Sequence, residues 1–281
     1  MRAKATLNHG MLMLLAICVG AFVLGCKQVP ENTVPQRAPM TAAEKESYES
    51  KVREGRGAFL KEPRSIKTCE ISAKFYKEAI ALKSDEYNVL WEAARTAVWL
   101  GNFGPEAKAK DHVKDGLTYA NTAVKVKPNG EEGLFYHGAL AGMLADLEMA
   151  YGPDAIETIE SRMKKLIEMK STYLFGGPDR ILGTLYMRAP GAPLSVGDFD
   201  KALTHMSRAL EIEPHWPENQ LYMAELEFRL AKKTDDPAYA KKARARLEEN
   251  ILGSEAKAPM GTVYEFKAWQ EDARKLLEDN K

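Results

Sequence analysis

The chain has 281 residues, and its 40 Lys and Arg balance 40 Asp and Glu. With no concentrated acidic or basic block, that neutrality excludes the basic excess expected of a nucleic-acid binder. Three cysteines at positions 18, 26 and 69 are too few to build a disulfide framework.

Met1 to His9 carries Arg2 and Lys4 and no acid, and Gly10 to Leu24 is almost wholly apolar. A basic start and a short apolar run describe a secretory leader rather than a fold element. The run is short for a membrane span, which takes about 20 residues. Val23-Leu24-Gly25-Cys26 resembles the bacterial lipobox. That resemblance implies cleavage after residue 25 and lipidation of Cys26. The alternative is an ordinary cleaved signal that happens to contain a cysteine. Several acyl chains give a stable anchor without a span. Lys27, in place of Asp, implies the outer membrane, facing the periplasm, in a Gram-negative source. Loss of Arg2 and Lys4 leaves 38 bases against 40 acids. Loss of Cys18 and lipidation of Cys26 leave Cys69 as the one free thiol. Roughly 255 remaining residues suffice to bury a core without staples.

The predicted organisation is a leader over 1–25, a lipidated cysteine and tether over 26–42, and a helical-repeat domain over 43–281. Pro30, Pro35 and Pro39 stand among polar residues without apolar periodicity, as in a tether. Thr41-Ala42-Ala43-Glu44 fits a helix start with a capping box. Beyond it the chain reads helical almost to its end, and β-branched alternation is scarce.

A repeat then emerges. Ala79-Ile80-Ala81-Leu82-Lys83-Ser84, Ala123-Val124-Lys125-Val126-Lys127-Pro128 and Ala209-Leu210-Glu211-Ile212-Glu213-Pro214 match one another, with a weaker copy at Leu166 to Ser171. Their first positions, 79, 123, 166 and 209, are 44, 43 and 43 residues apart. Each copy ends a helix, and a new helix is predicted to start near Asn88, Glu131, Pro178 and Pro217. Trp91-x-x-Ala94-Arg95-x-x-Val98 and Leu134-x-x-His137-Gly138-x-x-Ala141 resemble the first helix of a tetratricopeptide repeat. The usual period of about 34 residues is exceeded here, and the surplus falls in loops such as Gly101 to Asp111 and Met187 to Gly197. The fold expected is all-α: a tetratricopeptide-like helical-repeat solenoid of four helix pairs, closed by helices near Tyr222–Lys232, Pro237–Leu252 and Tyr264–Leu277. An irregular bundle or another α-solenoid is the alternative.

Signs of catalysis are weak, and no enzyme, cofactor or metal site is expected. There is no glycine-rich phosphate loop, H-E-x-x-H or G-x-S-x-G. His112, His137, His205 and His215 are scattered without metal-ligand spacing. His137 sits where such repeats bury an apolar residue, and Cys69 reads as a buried thiol. Gly138, Ala139, Ala141, Gly142 and Ala145 make one helix thin. Either its neighbours approach closely, or Tyr136, Met143 and Asp146 line a groove. Trp91, Arg95 and Trp99 recur at i, i+4 and i+8 on one helix face. The arginine can stack on the indoles, and it either packs there or offers its guanidinium to an anion.

The densest segment runs from Gly176 to Ala202. Gly176-Gly177 is predicted to end one helix and Pro178 to start the next. Pro190, Gly191, Pro193 and Gly197 hold a non-helical loop, and Asp198 caps the helix that follows. The strings G-G-P-x-R-x-L-G-x-L-Y (176–186) and P-x-x-P-x-S-x-G-D-x-x-K-A (190–202), then Pro217-Glu218-Asn219 and Ala224-Glu225, resemble the T component of tripartite ATP-independent periplasmic (TRAP) transporters. The similarity runs from roughly Lys74 to Leu252. The family implies a lipid-anchored, all-helical, non-enzymatic protein, a homotrimer with an internal channel or cleft, and association with a periplasmic solute-binding protein that collects small organic acids or other apolar anions. Arg180, Tyr186, Ser195, Asp198, Lys201, Asn219 and Glu225 are the polar residues matched, and with Trp91, Arg95 and Trp99 they form the candidate ligand- or partner-binding set. The rival expectation is a scaffold lipoprotein that binds partner proteins in an envelope-assembly complex.

Overall fold

The computed structural model describes residues 39–253 and 256–281. The leader, Cys26 and the tether up to residue 38 lie outside the described residues. The expected capping box starts the first helix, α1 (Ala42–Leu60). The Glu44 amide donates to Thr41 Oγ1 at 3.2 Å and the Thr41 amide donates back to the Glu44 carboxylate at 2.9 Å. Two orphan amide groups of the first turn are thereby satisfied. Ten more α-helices follow among the described residues: α2 (Ile66–Leu82), α3 (Tyr87–Phe103), α4 (Glu106–Val126), α5 (Glu131–Leu147), α6 (Gly152–Glu168), α7 (Tyr173–Arg188), α8 (Phe199–Ile212), α9 (Pro217–Thr234), α10 (Pro237–Asn250) and α11 (Val263–Glu278).

The four repeat copies fall at the ends of α2, α4, α6 and α8, and the helices expected after them are α3, α5, α7 and α9. The tight hairpins are α1–α2, α3–α4, α5–α6, α7–α8 and α9–α10. The described residues therefore hold five pairs, not four, because α1 and α2 form a pair that the spacing of the copies leaves out. The segment 222–232 is the inner part of α9, which pairs with α10 rather than closing the array. Among the described residues, only α11 stands outside the hairpins.

Small residues set the hairpin spacing. A Cβ on Gly116 of α4 would lie 2.3 Å from the Ala97 Cβ of α3, so the two helices meet backbone to backbone. The thin face of α5 serves the same purpose, since a Cβ on Gly138 would come within 2.5 Å of Met163 Cε on α6. Tyr136 is buried, whereas Asp146 is exposed. The main core runs through α3 to α9, with Leu117, Leu134, Leu140, Met163, Leu182 and Met206 almost wholly buried. A second core joins α9, α10 and α11 around Phe228, Leu247 and Trp269.

The odd-numbered helices touch one another in succession from α1 to α11, while the even-numbered ones make no comparable contacts among themselves. Two layers packed closely on one side and splayed on the other must curve. The odd-numbered helices are therefore the inner layer, and their shared face is the concave one.

Candidate functional site

The matched segment does not start as an ordinary helix. Leu174 (φ 48°), Phe175 (φ 59°) and Gly176 (φ 82°) wind left-handed before the regular turns of α7. Two consecutive non-glycine residues there are costly, and a clasp holds them. The Asn219 amide nitrogen donates to the carbonyls of Phe175 (2.9 Å), Ala209 (2.9 Å) and Glu213 (3.0 Å). Its oxygen accepts from Arg180 Nη1 at 2.7 Å. The same guanidinium nitrogen reaches the Leu174 carbonyl at 3.3 Å, and Nη2 pairs with Glu218 at 3.1 Å. Gly176 has no room for a side chain, because a Cβ would sit 3.0 Å from the Ala209 backbone. Arg180 and Asn219 are thus spent on tying α7 to the end of α8 and the start of α9.

Tyr186, Asp198 and Lys201 come together on the other side of α7. The Tyr186 hydroxyl donates to Glu160 at 2.6 Å. Its ring stacks against His205 with centroids 5.7 Å apart, and Lys201 Nζ lies 5.3 Å above it. His205 Nδ1 is 2.7 Å from the buried Asp179 carboxylate. Asp198 caps α8 as expected, accepting from the amides of Asp200 and Lys201 at 2.9 and 3.1 Å. These amide bonds, the Lys201 one foremost, hold its carboxyl below the usual range despite some burial. Ser195 sits in the loop, where its amide donates to the Gly191 carbonyl at 3.3 Å. The loop closes through Gly197 N to Pro190 O at 2.8 Å and Asp198 N to Tyr186 O at 2.8 Å. It presents Leu194 with 78% of its surface exposed.

Glu225 belongs to a third group. Its buried carboxylate accepts from Arg188 (3.2 and 2.6 Å) and Arg229 (3.1 and 2.9 Å). Burial alone would raise the carboxyl pKa, but Arg188 and then Arg229 hold it below the ordinary value. Both arginine side chains keep more than a third of their surface accessible, at the junction of α7 and α9 in the inner layer.

An aromatic track crosses the same layer. Trp91 on α3 stacks parallel to Tyr136 on α5 (6.4 Å, 5°). Tyr136 meets Tyr173 edge-on at 6.1 Å, and Tyr173 donates its hydroxyl to Tyr136 at 3.3 Å. Phe175 stacks on Trp216 at 4.2 Å, and Trp216 meets Trp269 of α11 at 5.7 Å. α11 then returns to the start of the array. Tyr264 packs on Trp99 of α3 at 5.1 Å. Glu265 accepts from Trp99 Nε1 at 2.9 Å and forms an ion pair with Arg64 of the α1–α2 turn. The last helix straps the inner face between its two ends. Arg95 is stacked, as its spacing predicts, but its second ring is Phe59 (4.1 Å) beside Trp91 (5.0 Å). Trp99 is buried against the strap instead.

The structure therefore divides the ten candidates among separate places. Arg180 and Asn219 form a clasp. Tyr186, Asp198, Lys201 and Ser195 belong to the α7–α8 connection. Glu225, Trp91, Arg95 and Trp99 lie in the inner layer. Sequence reasoning missed Arg188, Phe59, Arg64 and Glu265, whose partners are distant in the chain and leave no local signal. Among the described residues there is no group of His, Cys, Asp and Glu able to hold a metal ion, and no helix is long and apolar enough to cross a membrane.

No family model matches this sequence, and neither does any curated protein. Among solved structures, the chain is similar to a thermophilic tetratricopeptide-repeat protein of Thermus thermophilus, with a TM-score of 0.56 and 16% sequence identity over 81% of this chain and 99% of that one. At that identity the likeness speaks for the fold, and the fold is an all-helical solenoid of the tetratricopeptide type.

Proposed function

We propose that this is a non-enzymatic, lipid-anchored repeat protein of the bacterial envelope, of the TRAP T-component kind, which docks a periplasmic solute-binding protein and receives a small organic acid on its inner face. Cys26 carries the anchor, the outer membrane is its site, and a homotrimer is its working assembly. The observation that carries this reading is the strapped inner face. Repeat solenoids commonly use their concave surface for extended partners. Here α11 already crosses that surface and packs on Trp99 and Trp216. A small ligand fits such an arrangement better than a long peptide. A folded protein partner then engages exposed apolar residues such as Leu194 on the hydrogen-bonded loop and Leu147 and Met149 at the end of α5.

Those same apolar residues favour the second reading, a scaffold in an envelope-assembly complex, since exposed apolar groups suit protein docking. Gentle detergent extraction of the native protein, followed by mass spectrometry of what co-purifies, separates the two. A stoichiometric solute-binding protein supports the transport reading. Recovery with assembly factors, or alone and empty, sinks it.

A further inference from the structure

α1 opens the solenoid, and one of its faces has no neighbour among the described helices. A groove of about 540 Å³ runs along that face, and every residue lining it belongs to α1. Tyr48 and Val52 are half-buried there, and Leu60 is 55% exposed. Gly57 lines the same groove and is exposed, and a Cβ on it would meet nothing within 4 Å. The terminal repeat of a solenoid needs a polar outer face to stay in solution, so an apolar strip on the first helix is a face to be covered. Charges flank the strip in a fixed order. Glu49 forms no ion pair among the described residues, Arg53 reaches only Ser50 Oγ at 3.4 Å, and Arg56 is already paired with Glu92.

The chain just before α1 has the length and the side chains to cover it. The described residues start at Pro39, and Thr41, the N-cap of α1, is extended (φ −64°, ψ 163°), so the chain leaves the helical path there. Residues 29–38 read V-P-E-N-T-V-P-Q-R-A. A proline-containing chain in the polyproline-II form rises about 3.1 Å per residue, against about 1.5 Å along a helix. Run back from Pro39 along α1, Val34 comes about 15 Å along and Val29 about 31 Å. Val52 lies about 15 Å from the start of α1 and Leu60 about 27 Å. The charges match in order as well. Backward from Pro39 the segment offers Arg37 and then Glu31, while α1 offers Glu49 and then Arg53. Such extended chains dock on aromatic-lined grooves, and Tyr48 supplies the ring here. A second copy fits less well, because one helix face falls short of the roughly 1,200 Å² that a stable interface buries. The covalent link gives the segment an effective concentration of about millimolar, so modest contacts suffice.

We propose that residues 29–38 dock in this groove as an extended segment antiparallel to α1, with Val34 beside Val52 and Val29 beside Leu60. The stretch is then a fitted strap rather than a loose tether. Cys26 emerges three residues, about 9 Å, beyond Leu60, close to the α1–α2 turn where Arg64 pairs with Glu265 of α11. A lipid on Cys26 thereby fixes which end of the solenoid faces the membrane. The docking goes beyond the proposed function and rests on it only for the acyl chains on Cys26, which the intact mass of the protein reports separately.

The test is disulfide trapping in the mature, lipid-anchored protein in detergent, where Cys69 is buried and acylation blocks Cys26. Val29→Cys is combined with Leu60→Cys or, as the rival register, with Lys45→Cys, and mass spectrometry of the bridged peptides reads the outcome. Position 45 is 16 residues from position 29 and position 60 is 31, so an undocked chain bridges to 45 about two- to threefold faster. Docking reverses that order, and the bridge to 60 forms at least about fivefold faster. Gly57→Trp fills the groove from a position with open space above it, leaves the melting temperature unchanged and returns the preference to that of an undocked chain. Glu49→Arg weakens the preference, and adding Arg37→Glu restores it. Faster bridging to 45, or an unchanged preference in a Gly57→Trp protein that melts cooperatively, overturns the proposal. Bridges between two chains in place of bridges within one also overturn it, and give the groove to a second copy.

Discussion

Asn219 shows what one side chain does when its polar atoms are fully used. It has no exposed surface, accepts from Arg180, and donates toward three carbonyls belonging to the left-handed turn and the end of α8. Truncation leaves a buried guanidinium and several carbonyls short of partners, so Asn219→Ala should cost about 3 kcal/mol. Chemical denaturation checks this; a loss below about 1 kcal/mol, the net worth of one ordinary hydrogen bond, would show that the turn holds itself. His137 is the second residue-scale case. It is 4% exposed and its Nδ1 accepts from Arg162 Nε at 3.2 Å. Burial, reinforced by Arg162 and Lys125, pushes its pKa down to about 3. The unfolded chain takes up a proton near pH 6.5 and the folded chain does not. Stability is therefore full above that pH and falls as pH drops toward 3. At pH 5 the loss from this residue is about 2 kcal/mol. His137→Gln should flatten that part of the stability profile; an unchanged slope between pH 6.5 and 5 would mean the imidazole is reached by water.

At the scale of elements, the left-handed entry to α7 and the strap α11 carry the functional argument. Gly176 combines φ 82° with a backbone neighbour 3.0 Å from any Cβ. Gly176→Ala should destabilise by about 1–3 kcal/mol, the usual cost of forcing a side chain into a left-handed position, and should lower the melting temperature. The strap is held at one end by Trp99, Tyr264 and the Arg64–Glu265 pair, and at the other by Trp269 on Trp216. Glu265→Ala removes the acceptor of both Arg64 and Trp99. Hydrogen exchange over 263–270 should then rise, with little change over 131–147. Unchanged protection of α11 in that variant would place its anchorage wholly in the Trp216 contact.

For the whole molecule, the consequence is a solenoid whose last helix meets its first pairs. An open array of repeats leaves its inner face free along its length. This one links α3, α5, α7, α9 and α11 through successive aromatic contacts and then returns to α3. Combining Glu265→Ala with Trp269→Ala should therefore enlarge the radius of gyration measured by small-angle scattering while helix content holds. A radius unchanged in the double variant would show that repeat packing alone fixes the curvature.

Much of this was legible without coordinates. Helix starts and stops are local matters of caps, prolines and apolar spacing, and Thr41, Asp198 and the copies at 79, 123, 166 and 209 marked them correctly. The buried state of His137 followed from position in the repeat, and that of Cys69 from the want of a histidine near it in sequence. The pair count was not legible, because α1 and α2 lack a preceding copy to measure from. Nor was the division of the matched motif, since the partners of Arg180 and Glu225 lie 39 and 37 residues away. Phe59 as the second ring on Arg95, and Glu265 as the acceptor for Arg64 across 201 residues, depend on how the array curves. Periodicity fixes the helices and their order, but curvature is the sum of small packing offsets between neighbours. Only the tertiary structure adds those offsets into a face that meets itself.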